Sequence, residues 1–225
     1  MKKILIVIIS VLLVPGLSFG APAPVYVPNQ GDTGWQTYTY TAGPEGFTGT
    51  AGFVVSNVKD NSAYSELLLD NLSQGGGGTN QGFELGNLTG YVLASDSSGT
   101  SFATVNPSAT TVSGNTYTPT QRGFLVIIQG LSTGVSISGF RNAIGQAGTV
   151  GSILETIITL APGEKFSFDW AFLGNDSSPY SDFSLFYLKD PQSGAIVFTK
   201  LLAQIGSPRR VPIAAILLLL DVDSF

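Results

Sequence analysis

Short runs rich in Val, Ile, Thr, Phe and Tyr recur along the chain at 35–42, 52–57, 65–72, 123–129, 153–160, 165–173, 182–188 and 195–200, each cut off by Gly, Asn, Pro or Ser. Past the first twenty residues no stretch holds an apolar period of 3.6, so the pattern reads as strands and not helices. Short strands at this spacing must stack two sheets to bury a core, which predicts an all-β fold of the β-sandwich or jelly-roll kind. At 225 residues the chain is long enough for one large or two small β domains.

Two absences narrow the chemistry. There is no cysteine, so no disulfide framework exists and a hydrophobic core must suffice. There is no histidine, which removes the commonest general base and the commonest zinc ligand. Charged residues make up only 11% of the chain, leaving hydroxyls and amides to face water from the sheets. The formal net charge of −5 opposes nucleic acid as a partner.

Lys2 and Lys3 precede an unbroken apolar run at 4–14, and Pro15-Gly16 and small residues at Ser18, Gly20, Ala21 and Ala23 follow. That is the layout of a secretory signal peptide at 1–20, with an apolar run too short to span a bilayer. Cleavage by signal peptidase is expected after Gly20, placing the protein outside the cell or on its surface. Loss of the two lysines would take the formal charge from −5 to −7. At the other end, Val211-Pro212 leads into an apolar run at 213–220 that is also too short for a transmembrane anchor. The segment 206–225 resembles the C-terminal sorting tail of bacterial PEP-CTERM (exosortase-sorted) surface proteins. Val211 and Pro212 match that tail, whereas Ile213-Ala214 stands where the family has Glu-Pro and the basic end is missing. The resemblance implies a sorting protease as a partner and a tail that is degenerate as written.

The segments 60–67 and 176–183 match as D-x-S-x-Y-S-acid-apolar at a constant offset of 116 (176 − 60), and each lies between two strand-like runs. This reads as a duplicated strand–loop–strand unit. The first copy falls in a segment, 24–74, that is too short for an independent core without disulfides or metal. It is expected to add strands to a sandwich formed by 80–205, across a Gly-rich linker at 75–79. Gly75 to Gly78 lack the Lys-Ser/Thr of a phosphate loop.

Three stretches together resemble a jelly-roll family frequent among PEP-CTERM proteins. Asn80-Gln81-Gly82-Phe83-Glu84-Leu85-Gly86-Asn87-Leu88-Thr89-Gly90-Tyr91 resembles its opening strand, N-x-x-F-E-x-G-x-x-T-G-W, with Tyr91 in place of Trp. Thr116-Tyr117-Thr118-Pro119-Thr120-Gln121-Arg122-Gly123 resembles its Tyr-x-Pro-Thr-x-Gly turn. Phe166 to Asp176, followed by Pro179-Tyr180-Ser181-Asp182-Phe183, resembles its F-D-W-x-F-L-x-N-D…P-Y-x-D-F block. The opening motif is similar, too, to calcium-containing carbohydrate-binding jelly rolls, in which the Glu of Gly-Phe-Glu and an Asp of the last strand share a structural cation. On that resemblance Glu84 is one ligand, Asp182 its counterpart in the same domain, and Asp70 a closer match to the closing motif.

Calcium takes six to eight hard oxygens. Glu84, Asp70, Asp176 and Asp182 are the candidate ligands, with Asp60, Asn61, Glu66 and Asn175 offering further oxygens in loops. The competing reading is that these side chains form turns through hydrogen bonds to backbone. Glu66, Glu84, Glu155 and Asp169 are carboxylates of the type glycosidases use, but no spacing sets two across a cleft. Gly-x-Ser-x-Gly is absent. The chain is therefore expected to be non-catalytic. Aromatic rings can stack on sugars; Tyr38, Tyr40, Tyr91, Tyr117 and Tyr180 are the tyrosines that lean exposed, with Tyr38, Tyr40 and Tyr91 the candidate glycan contacts, whereas Trp35 and Trp170 are expected in the core. Tyr38 and Tyr40 share one strand face by period two. The leading expectation is an exported surface or matrix protein binding extracellular polysaccharide. A purely structural or adhesive module is the alternative, and a glycan-active enzyme the remote one.

Overall fold

A computed structural model describes residues 23–59, 63–74, 81–177 and 179–207. The expected signal segment, the linker at 75–79 and Val211-Pro212 lie outside the described residues. Among the described residues, fourteen strands run β1 (Val25–Val27), β2 (Gln36–Thr41), β3 (Phe47–Ser56), β4 (Glu66–Gln74), β5 (Tyr91–Leu93), β6 (Phe102–Asn106), β7 (Ala109–Thr110), β8 (Thr116–Tyr117), β9 (Leu125–Gln129), β10 (Val135–Ser136), β11 (Val150–Leu160), β12 (Lys165–Leu173), β13 (Phe183–Lys189) and β14 (Ile196–Ile205). One sheet has the order β1-β14-β13-β3-β11-β10, with β5 also on β11; the second has the order β2-β12-β4-β9-β6. A hairpin, β7–β8, stands apart from both. The chain is thus an all-β sandwich of two packed sheets.

The inner faces meet in an aromatic core. Phe53 of β3 and Phe186 of β13 pack against Phe168 of β12, with ring centroids 4.9 and 5.1 Å away. Leu67, Leu69, Val126, Ile128, Phe166 and Phe172 complete the core from the second sheet. Burying each such side chain contributes roughly 1.5–3 kcal/mol, so no disulfide is needed to hold the sheets.

Both sheets are also partly covered on their outer faces. Val54, Phe183, Leu185 and Tyr187 form a second buried cluster with Val135 and Ile137. Leu68, Ala171, Leu173 and Leu125 form a third, with Ala109 and Tyr117 of the hairpin and with Trp35. Burial on two faces explains why β3, β4, β12 and β13 read as near-continuous apolar runs instead of clean alternation.

The duplicated units interlock. Strand β3 pairs with β13 from Ser56↔Phe183, and β4 pairs with β12 from Glu66↔Leu173, so the two repeat loops leave the sheets at the same end. Strands β3 and β4 are interior strands, lying between β13 and β11 and between β12 and β9. The segment 24–74 is therefore woven through both sheets, and 80–205 without it lacks the middle of each.

One resemblance from the sequence takes a different shape. From Gln81 on, the stretch likened to an opening strand is a 3-10 turn followed by further turns up to Tyr91. Gly82 and Phe83 both adopt left-handed backbone, with φ of 70° and 64°. That conformation is costly for a bulky residue. Phe83 is held there by full burial of its ring, which lies 4.6 Å from that of Tyr91.

Candidate functional site

The Gly31-Asp32-Thr33-Gly34 turn leads into β2 and sets Trp35 at the edge of the second sheet, beside the β7–β8 hairpin. The indole N–H donates to the Thr118 carbonyl at 3.0 Å. The Tyr117 ring meets the indole edge-on, 5.7 Å away at 72°. Tyr117 donates its hydroxyl to Asp32 Oδ1, the Gly34 N–H reaches the same oxygen at 3.1 Å, and Asn115 Nδ2 donates to Oδ2 at 3.2 Å. Burial pushes the Asp32 carboxyl up, but these three donors outweigh it and hold the group below the ordinary carboxylate value. The result is an open groove of about 460 Å³ lined by Trp35, Tyr117, Gly34, Asn115, Thr116 and Thr118. Its aromatic wall is fixed in place by bonds spanning 83 and 85 residues, the second of them to Asp32, which ties Tyr117, Gly34 and Asn115 together.

Sequence reasoning assigned Trp35 to the core. Trp170 is there, 5% exposed, but Trp35 is half-buried and lines the groove. The legible signal was its position, a Trp directly after an Asp/Gly turn at the entry to an alternating strand. Tyr117 is among the tyrosines named from the sequence, whereas Asn115 carries no local signal; the hairpin brings both to Trp35.

The other tyrosines named from the sequence lie elsewhere. Tyr38 and Tyr40 do share a face, but it is the inner one. Tyr38 packs on Phe168 and Phe186, Tyr40 on Phe198, with centroids 5.2–5.8 Å apart. Burial raises both phenol pKa values. Tyr91 packs against Phe83 and reaches the rim of another groove, of about 460 Å³, whose exposed large apolar side chains are Val92 and Ile157.

The candidate calcium ligands fall in two places. Asp70 is fully buried, its Oδ2 accepting from Thr120 N–H (2.5 Å) and Gln121 N–H (2.9 Å) and its Oδ1 from Asn71 N–H (2.6 Å). Glu84 Oε2 accepts from Gly123 N–H at 3.2 Å, while its Oε1 is buried without a hydrogen-bond partner. Both carboxylates therefore grip the 120–123 turn. Asp182 lies at the repeat-loop end of the sandwich and accepts from Val58 N–H and the Ser65 hydroxyl, each at 2.9 Å. Asp176 Oδ1 accepts from Ser177 N–H at 2.6 Å. N–H groups aimed at Asp70, Asp182 and Asp176 suit turn formation. Among the described residues no three His, Cys, Asp or Glu side chains gather as a metal site.

The carboxylates named for glycoside chemistry are scattered too. Glu155 lies on the outer face of the first sheet, bonded to the Tyr187 hydroxyl and to Lys189 Nζ at 2.6 Å. Glu66 accepts from Gln129 Nε2 at 2.6 Å, and burial raises its pKa above the ordinary carboxylate value. Asp169 lies on the outer face of the second sheet beside Asp70.

Compared with family models, curated proteins and solved structures, the chain matches none.

Proposed function

We propose that the chain is an exported, non-catalytic glycan-binding module of a bacterial cell surface or matrix, built on a jelly roll. The strand order supports the jelly-roll reading. The order β2-β12-β4-β9 matches the nested order of one jelly-roll sheet, and β3-β11-β5 that of the other, with β13 added outside β3. Strand β14 takes the position beside β13, with β1 following in parallel. Export rests on the pattern at 1–20, and sorting by a surface protease on Val211-Pro212.

The observation that carries the binding reading is the Trp35–Tyr117 groove. A pyranose has an apolar C–H face and a rim of hydroxyls. A fixed indole edged by the Asn115 amide and the Thr116 and Thr118 side chains offers both surfaces at once. The test is a glycan microarray probed with residues 21–207 and with Trp35→Ala. Binding that disappears in Trp35→Ala supports the reading. A silent array with a cooperatively melting protein sinks it and favours the structural or adhesive module.

A further inference from the structure

The hairpin that walls the Trp35 groove also walls a second one. On its far flank Thr110, Thr111 and Val112 join Tyr64, Glu66 and Asn175 around a groove of about 360 Å³. Tyr64 is 37% exposed and Val112 65% exposed. Asn175 Nδ2 donates to the Tyr64 carbonyl at 3.1 Å, so this flank too is tied down. The hairpin between the grooves is two strands wide, with Ala109 opposite Tyr117 and Thr110 opposite Thr116. Adjacent strands lie roughly 5 Å apart. The two aromatic surfaces are therefore separated by one narrow ridge.

We infer that the two grooves are subsites for one ligand, an interior stretch of a neutral polysaccharide chain lying across the hairpin. This rests on the glycan reading of the Trp35 groove and names its substrate class. Both grooves are open, so neither encloses a chain end, and a polymer can enter and leave without a free terminus. Asp32 stands behind the wall of one groove, bonded to Tyr117 and Asn115, Glu66 lines the other, and no Lys or Arg lines either among the described residues. Like-charge repulsion then works against uronate or sulfated chains. Linking two weak contacts on one chain raises affinity through effective concentration, without any new contact.

The test is affinity electrophoresis of residues 21–207 in gels containing neutral polymers (dextran, laminarin, glucomannan, xyloglucan) or acidic ones (alginate, polygalacturonate). Calorimetry on the disaccharide of whichever polymer retards the protein complements it. Retardation by at least one neutral polymer and by neither acidic one is expected. Tyr64→Ala should weaken polymer binding about tenfold while leaving disaccharide affinity unchanged, and Trp35→Ala should lose both. Val112→Asp, on the exposed hairpin, blocks the second groove without touching the core and should reproduce Tyr64→Ala if that variant folds poorly. Wild-type polymer affinity in both second-groove variants, with Trp35→Ala silent, overturns the two-subsite inference and leaves the single-groove reading standing. Retardation by acidic polymers alone overturns the neutral class. Retardation by no polymer overturns the inference and the reading together.

Discussion

Asp70 and Asp169 lie opposite each other on β4 and β12, and one hydroxyl serves both: Thr120 Oγ1 is 3.0 Å from Asp70 Oδ2 and 2.7 Å from Asp169 Oδ2. A hydroxyl carries one proton, so it can donate to only one of two ionised carboxylates. The shorter contact assigns the donation to Asp169, whose Oδ2 also takes Asn71 Nδ2 at 3.1 Å and whose Oδ1 takes the Thr37 hydroxyl at 2.6 Å. Asp70 is left with backbone N–H donors. Thr120→Val keeps the side-chain shape and deletes the shared donor. It is expected to cost on the order of 1–2 kcal/mol by urea denaturation, with Thr120→Ser recovering most of it. A valine variant as stable as the wild type would show that the hydroxyl contributes nothing here.

The pH profile follows from the same groups. Burial, against the opposition of the Gln121, Asn71 and Thr120 donors, raises the Asp70 pKa, and burial raises that of Glu66. A raised carboxyl keeps its proton in the folded chain at pH values where the unfolded chain has lost it. Its contribution to stability therefore falls as pH rises from about 4 through the folded value, and is level above that. Asp32 runs the other way. Despite burial, its donors lower the pKa, so its contribution is present above about 4 and lost as pH falls below. Urea midpoints should pass through a maximum in the mildly acid range. Glu66→Gln keeps the acceptor for Gln129 and removes the titration, so it should gain on the wild type at neutral pH and lose that advantage near pH 4. A difference that does not change with pH would refute the assignment.

Tyr187 lies flat across β3 to reach Glu155 on β11, and Gly52 is what lets it pass. A Cβ on Gly52 would stand 2.1 Å from Tyr187 Cζ. Gly52→Ala must push the ring away and break its bond to Glu155, at an expected cost of about 1–3 kcal/mol. In a Tyr187→Ala background the same substitution should cost far less, since the clash is gone. Additive effects in that double-mutant cycle would rule the contact out as the cause.

What the sequence could tell about this molecule divides along local and non-local lines. The strand at 165–173 is read to the residue, because a run of Phe and Trp between Pro/Gly punctuation is a local signal. The repeat at 60–67 and 176–183 is legible for the same reason, and both copies do connect one sheet to the other. Period two puts Tyr38 and Tyr40 on one face, but only the packing of β2 beside β12 decides that the face is inward. Short strands such as β7 and β8 have too few residues for any pattern. The groove depends on them, since Tyr117 and Asn115 meet Asp32 from 85 and 83 residues away. The turn at Gly82 and Phe83 was hidden because a left-handed Phe is a tertiary demand that no propensity announces.

Asp182 separates the two readings of the acidic residues most sharply. It is fully buried and joins the repeat loops, accepting from Val58 N–H through Oδ1 and from the Ser65 hydroxyl through Oδ2. Asp182→Asn keeps an acceptor for Val58. Its new amide can donate to Ser65, whose hydroxyl accepts as readily as it donates. A calcium ion, by contrast, would lose the negative charge it needs. On the hydrogen-bond reading, Asp182→Asn should cost no more than about 1 kcal/mol, whereas Asp182→Ala, which orphans a buried N–H, should cost about 2–4 kcal/mol. The melting temperature of the wild type should not move when EDTA replaces calcium. If the fold is held by calcium at this end, EDTA lowers the melting temperature by several degrees and the asparagine variant is as damaged as the alanine one.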